Sequence, residues 1–177
     1  MHKFVGIIFV LLFSSTCTFA MDVTVTQYGA VGDGKTDNTA AFQKALDDAY
    51  NAGGGRVKVP SGNFLISAHL RIPNSVSLVG EWEAPPAPTK LDPSQTKLDP
   101  AMDIDPNQIL LSGSVLLAVE GAGNENGTPF ISMERDSTLK GIIIYYPNQL
   151  WNQIPNPYPW TVRGASDNIS IIDCLFV

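Results

Sequence analysis

Three groups of residues have the types and spacing to do chemistry. Gly29 to Thr36, GAVGDGKT, satisfies G-x-x-x-x-G-K-[ST] in full. In that pattern backbone N–H groups cradle phosphates, while the Lys and the Ser/Thr meet the terminal phosphates and magnesium. The second group is aromatic. Residues 145–160, YYPNQLWNQIPNPYPW, hold four prolines among Tyr145, Tyr146, Trp151, Tyr158 and Trp160. Sugar rings present apolar C–H faces, and Trp and Tyr offer flat faces with a polar tip. Prolines stiffen such a wall and lower the cost of ordering it on binding. Tyr146, Trp151, Tyr158 and Trp160 are the candidate substrate-binding residues; the alternative is that the loop packs on the flank of its own fold. The third group is acidic: Glu81 and Glu83 beside Trp82, Glu134 and Asp136 around Arg135, and Asp173. These read better as a strand end covered by Trp82, a surface ion cluster and an outward-pointing strand residue than as catalytic groups. His69, the only histidine after Ala20, reads as a partly exposed strand-end residue. No metal-ligand spacing stands out, and no cofactor is expected.

The elements that must position these residues decide between the readings. A working phosphate cradle sets its Lys and Ser/Thr in the first turn of a helix. Here a capping-type residue, Asp37, follows the motif, so the helix is expected to start at Asn38. Phe42, Ala45, Leu46 and Ala49 share one face of that helix, and Gly53 to Gly55 end it. The helix is preceded by an alternating run, DVTVTQY. After it come short apolar runs separated by turn residues: RVKVP, NFLIS, HLRIP, VSLVG, QILLS, SVLLAVE, PFISM, TLKGIIIYY, TVRG and NISIIDCLFV. PNSVSLVG (73–80), RDSTLKGI (135–142) and SDNISIID (166–173) share one plan, a polar turn and then alternating apolar residues. Such recurrence marks a solenoid or propeller. Val76, Leu139 and Ile169 are expected at equivalent inward positions, with two coils and an insertion between the first two. Pro- and Asp-rich residues 84–108, like 145–160, read as loops inserted between coils.

The chain carries a net charge of −6, which argues against a nucleic-acid partner. Residues 1–20 combine Lys3, an apolar run from Phe4 to Phe13 and small residues at Thr18 and Ala20. This is the pattern of a secretory signal peptide cleaved after Ala20, so the expected location is periplasmic or extracellular. The run is too short to span a bilayer, and no later run is long enough. Export also removes the chain from cellular nucleotides, so no nucleotide partner is expected. Only Cys174 follows Ala20, which excludes an intrachain disulfide framework.

The segment VTQYGAVGDGKTDNTAAFQKALDDAYNAGGGRVKVPSGNFLIS resembles the N-terminal region of the pectate-lyase-like superfamily, which includes polygalacturonases, rhamnogalacturonases and related tailspike proteins. The matching positions are Tyr28 to Ala30, Gly32 to Gly34, Thr36 to Thr39, Ala41 to Gln43, Ala45 and Leu46, Gly53 to Gly55, and Pro60 to Phe64. The match is dense over about forty residues and loose in the middle of the chain. The resemblance implies an all-β fold, a right-handed parallel β-helix with an N-terminal capping strand and α-helix. The GAVGDGKT stretch would then be part of that cap.

On this basis residues 21–177 are expected to form the N-terminal part of one β-helix domain. The family motifs Asn-Thr-Asp, Asp-Asp, Gly-His-Gly and Arg-Ile-Lys do not occur in the sequence. Because the last apolar run carries no polar cap, catalytic residues are expected beyond Val177. The resemblance implies an exported polysaccharide-active protein, a glycoside hydrolase or lyase on uronic-acid-containing or similar glycans. The alternative is a non-catalytic glycan-binding or adhesive β-helix.

Overall fold

The computed structural model describes residues 20–83, 113–149 and 154–177. The expected leader, the 84–108 insertion, the QILLS run and Trp151 lie outside the described residues. The chain opens with β1 (Met21–Thr24), a 3-10 turn (Val25–Tyr28), β2 (Asp33–Asp37) and α1 (Thr39–Asn51). A first full coil follows: β3 (Gly55–Lys58), β4 (Gly62–Ile66) and β5 (Leu70–Ile72). The second is β6 (Val76–Val79), β7 (Ser114–Ala118) and β8 (Ile131–Met133). The third is β9 (Thr138–Lys140), β10 (Ile142–Tyr145) and β11 (Val162–Gly164), and β12 (Ser170–Ile172) and β13 (Leu175–Phe176) begin a fourth.

Strands of successive coils pair in parallel into three sheets, ordered β1-β3-β6-β9-β12, β13-β10-β7-β4-β2 and β11-β8-β5. This is a parallel β-helix. Its core is a set of inward columns, one side chain per coil. In the first sheet Val23, Val57, Leu78, Leu139 and Ile171 stand in register. In the second Phe64, Leu116 and Ile144 do so, and in the third Leu70, Ile131 and Val162. Val57, Leu78 and Leu139 are fully buried, and each such side chain stabilises the fold by roughly 1.5–3 kcal/mol.

The register corrects two expectations. Leu139 stands beside Leu78, two residues along from Val76, so the three residues chosen from the repeats share a face but not one column. The β6 and β9 strands are direct neighbours, so one coil separates Val76 from Leu139, not two. Insertions on either side of β7 use up the remaining chain.

The repeated polar turns have a common backbone cause. Gly54, Ser75, Asp136 and Asn168 precede β3, β6, β9 and β12, with φ of 110°, 60°, 56° and 62°. Every coil needs a left-handed residue at this corner, and Asn, Asp and Gly tolerate that conformation best. Asn168 Nδ2 also donates to Asp136 Oδ1 at 2.7 Å, one coil to the next. The corner from the first to the second sheet uses the same device, with Gly141 at φ 65° and Asp173 at φ 48°.

At the N-terminal end α1 closes the stack. Phe42, Ala45, Leu46 and Ala49 are its buried residues, as the helical spacing requires. The Phe42 ring meets Phe64 edge-on at 5.4 Å between centroids. Gln43 bonds both backbone groups of Arg71, and the Arg71 guanidinium donates to Asp47. The lid therefore covers apolar core and unpaired strand groups together.

Residues 33–37, the end of the GAVGDGKT stretch and its neighbour Asp37, form a strand of the cap. β2 pairs in parallel with β4, and a bulge separates the Asp33 and Asp37 pairings. Asp33 Oδ1 accepts from the Lys35 and Thr36 amides at 2.9 and 2.8 Å, and Asp33 Oδ2 from the Thr36 hydroxyl at 2.8 Å. The amides a phosphate cradle would offer are thus filled by the chain's own carboxylate, and the helix begins at Thr39. Those bonds hold the Asp33 carboxyl down to about 2. Asp37 is likewise held at about 2, chiefly by the Ser67 hydroxyl and then by Thr39.

Candidate functional site

The second-to-third sheet corner is short in the first coil, residues 67–69, but long in the next two. Residues 119–130 follow β7 and residues 146–161 follow β10, and the two loops stack on each other. The Gly123 amide donates to Pro157 O at 2.8 Å, and the Phe130 and Ile131 amides donate to Trp160 O and Thr161 O, both at 3.0 Å. Gly121 has φ 86°, and a Cβ there would lie 2.8 Å from Pro159. Only glycine permits this approach of the two loops.

The candidate aromatic residues occupy different layers of this wall. Tyr146 and Tyr158 are half-buried, with ring centroids 4.6 Å apart. Tyr146 also meets Phe130 edge-on at 6.3 Å. Its hydroxyl donates to Thr161 Oγ1 at 2.9 Å. The Tyr158 hydroxyl is buried without a described partner. Burial pushes both phenols above their ordinary range. These two rings form the back of the wall. Trp160 forms its front, with 75% of its surface exposed. Trp151 lies outside the described residues.

Trp160 faces a cleft of about 550 Å³, bordered by Glu125, Asn126 and Pro129 of the lower loop and by Arg163 and Gly164 of β11. The volume is that of a small-ligand site. The sequence reading did not single out Glu125, Asn126 or Arg163. A signal for Arg163 existed in the coil alignment, since Arg71, Ser132 and Arg163 are register partners on β5, β8 and β11. The first member of that column is neutralised: Arg71 Nη1 donates to Glu134 Oε1 at 3.0 Å and Nη2 to Asp47 Oδ1 at 2.9 Å. These partners, Glu134 foremost, raise its pKa further. Arg163 has no ion-pair partner among the described residues.

The acidic candidates stand apart from the cleft. Glu81 accepts from the amide and hydroxyl of Ser61 at 2.9 and 2.7 Å. Trp82 covers Val115, Leu117 and Ile143 on the outer face of the second sheet. Glu134 binds Arg71, while Asp136 and Asp173 are left-handed corner residues. His69 Nε2 lies 3.4 Å from Glu120 Oε1, linking the short corner of the first coil to the start of the 119–130 loop. Among the described residues no cluster of three or more His, Cys, Asp or Glu is arranged to hold a metal ion. No described helix is long and apolar enough to cross a membrane.

Comparison with known proteins locates the chain. Residues 23–98 match the family model described as rhamnogalacturonase A/epimerase, pectate lyase-like. Mannuronan C5-epimerase AlgE2 of Azotobacter vinelandii is 45% identical over 67 residues, 34% of this chain and 7% of that protein. Alginate lyase 7 of the same organism is 53% identical over 47 residues, 27% of this chain and 6% of that protein. The chain thus spans a small fraction of the length of these relatives. Among solved structures, the A-module of the A. vinelandii mannuronan C-5 epimerase AlgE4 is 21% identical, with a TM-score of 0.44, covering 86% of this chain and 44% of that one.

Proposed function

We propose, from the premise that the N-terminal region of this chain, residues 23–98, belongs to the rhamnogalacturonase A/epimerase, pectate lyase-like family, that the protein is exported and acts on polysaccharide. In this reading it is a glycoside hydrolase or polysaccharide lyase on uronic-acid-containing or similar glycans, and the glycan lies against the Trp160 wall. The observation that carries it is the large exposed indole of Trp160 beside a cleft. Trp160 offers a flat apolar face at the cleft, and the C–H face of a sugar ring is a matching surface. The relatives' names, mannuronan epimerase and alginate lyase, denote uronic-acid polymers and support the glycan class. The Lys3-led apolar run before Ala20 supports export.

A second reading, binding without cleavage, is favoured by one observation. Glu125 is the only carboxylate among the described residues bordering the cleft. Glycoside hydrolysis ordinarily needs two carboxyl groups flanking the scissile bond.

Affinity electrophoresis of the full chain in gels containing alginate or polygalacturonate tests the common part of both readings. Retardation is expected, and Trp160→Ala should weaken it clearly, since the variant removes the flat apolar face on which a sugar ring would lie. Unretarded migration of the wild-type chain in both gels would sink the proposal. Product analysis then separates the classes. New reducing ends alone mark a hydrolase, and reducing ends with an absorbing unsaturated uronate mark a lyase. Retardation without either leaves the binding reading.

A further inference from the structure

From the geometry we infer that Arg163 is the carboxylate-reading, specificity-determining residue of the Trp160 cleft, and that Glu125, which borders the same cleft, fixes the orientation of the sugar. The inference rests on the proposed function above and sharpens it.

Four observations converge. Arg163 and Trp160 border one cleft of about 550 Å³, so a single ligand there can meet both. Arg163 is uncompensated among the described residues, whereas Arg71, its counterpart two coils away in the same column, is held by Asp47 and Glu134. The protein as a whole is acidic, at net −6, so an unpaired guanidinium on a cleft wall runs against its overall balance. The residue is also pre-placed: it lies on β11, which pairs with β8 through Val162, Arg163 and Gly164.

A planar guanidinium matches a carboxylate in two parallel N–H···O bonds, which an ammonium cannot reproduce. Glu125 borders the cleft as an acceptor, and Asn126 adds an amide that donates and accepts. A carboxylate is repelled from the Glu125 side and attracted to the Arg163 side. Sugar hydroxyls suit Glu125 and Asn126. The ligand class is therefore an acidic sugar lying with its carboxylate edge on β11 and its hydroxyl edge on the 119–130 loop.

The test is a titration of the full chain with defined oligogalacturonate and oligomannuronate and with the fully methyl-esterified form of each. Wild type is expected to prefer an acid oligomer over its ester, with the preference shrinking as salt is raised. Arg163→Gln should weaken acid-oligomer binding about ten- to a hundred-fold, the value of a charge-assisted hydrogen bond, and weaken ester binding by much less, because the ester carbonyl accepts only an ordinary hydrogen bond. Arg163→Lys should recover only part of the loss. Circular dichroism and melting checks that the variants are folded. If Arg163→Gln binds the acid oligomer as wild type does, while Trp160→Ala loses both acid and ester, the glycan reading stands and Arg163 is not its carboxylate reader. If wild type binds none of the four oligomers, the glycan reading falls and this inference with it.

Discussion

Asp33 and Asp37 show how a motif's residue types mislead when one neighbour is ignored. The GKT amides are available to a phosphate only if nothing nearer takes them, and Asp33 is two residues away. Its carboxylate accepts three bonds within four residues, and Asp37 ties Thr39 and Ser67 together across the cap. Both carboxyl groups are depressed from an ordinary 3.8 to about 2. Each folded value lies below the unfolded one, so the native state is favoured by ionisation. That contribution is complete above about pH 4 and disappears as pH falls through the folded value near 2. Melting temperature is therefore expected to drop over this window. Asp33→Asn with Asp37→Asn should lower stability at neutral pH, since each amide keeps only one of the two accepting oxygens, and should flatten the drop, since neither amide titrates. An acid limb of unchanged steepness in the double variant would show that other carboxylates govern it.

At the scale of elements, the corners decide the fold as much as the strands do. Gly80 sits where β6 turns toward the second sheet. A Cβ there would lie 2.3 Å from Gly141 O, 2.6 Å from Ile142 Cδ1 and 2.7 Å from Ser114 Cβ. Ser114 cannot move freely, because its hydroxyl donates to Val59 O at 2.6 Å and accepts from the Glu81 amide. Gly80→Ala is expected to cost about 3 kcal/mol, at the upper end for overpacking. Gly123 makes the control. Its added Cβ meets nothing within 4 Å, but its φ is 85°. Gly123→Ala should cost only the left-handed strain, about 1–2 kcal/mol. Urea unfolding of both variants checks the order, and equal midpoints would contradict the corner's tightness.

Much of this was legible because each coil repeats one physical requirement. The polar turns at Ser75, Asp136 and Asn168 are visible since only a few residue types accept positive φ, and the α1 face is visible since Phe42, Ala45, Leu46 and Ala49 keep a helical period. β2 was not legible. Asp-Gly-Lys-Thr-Asp has no apolar alternation, and its strand state comes from pairing with β4, a tertiary effect. The register of Leu139 was missed because the first sheet repeats every two residues along a strand, so inward neighbours two apart look alike. In the cleft, Trp160 was legible by type. Glu125 was not, since it joins Trp160 only when the 119–130 loop stacks beneath the 146–161 loop; Arg163, three residues after Trp160, could have been found from its register with Arg71.

The whole molecule is a stack in which each coil touches mainly the coil before and after it. Stability in such a stack is a sum of coil terms and nearest-neighbour interfaces, so opening runs inward from the less covered coils. At one end α1 seals the stack, with Phe42 and Leu46 fully buried. In the coil begun by β12 and β13, by contrast, Ile171 is 48% exposed, although its register partners Leu139 and Leu78 are fully buried. Ile172 and Phe176 are similarly open at 43% and 45%. Native-state hydrogen exchange of this chain should therefore show a gradient. Amides of β4, β7 and β10, paired on both sides, exchange only by near-global opening. Those of β12 and β13 exchange first, by local opening with a small dependence on denaturant. Phe42→Ala should cost roughly 3–5 kcal/mol in a packed lid and lower protection in β3 and β4 before β9 and β10. Uniform protection across the coils, or a loss in Phe42→Ala spread evenly through all of them, would mean that the stack unfolds as one unit and that coil-by-coil coupling is stronger than the interfaces suggest.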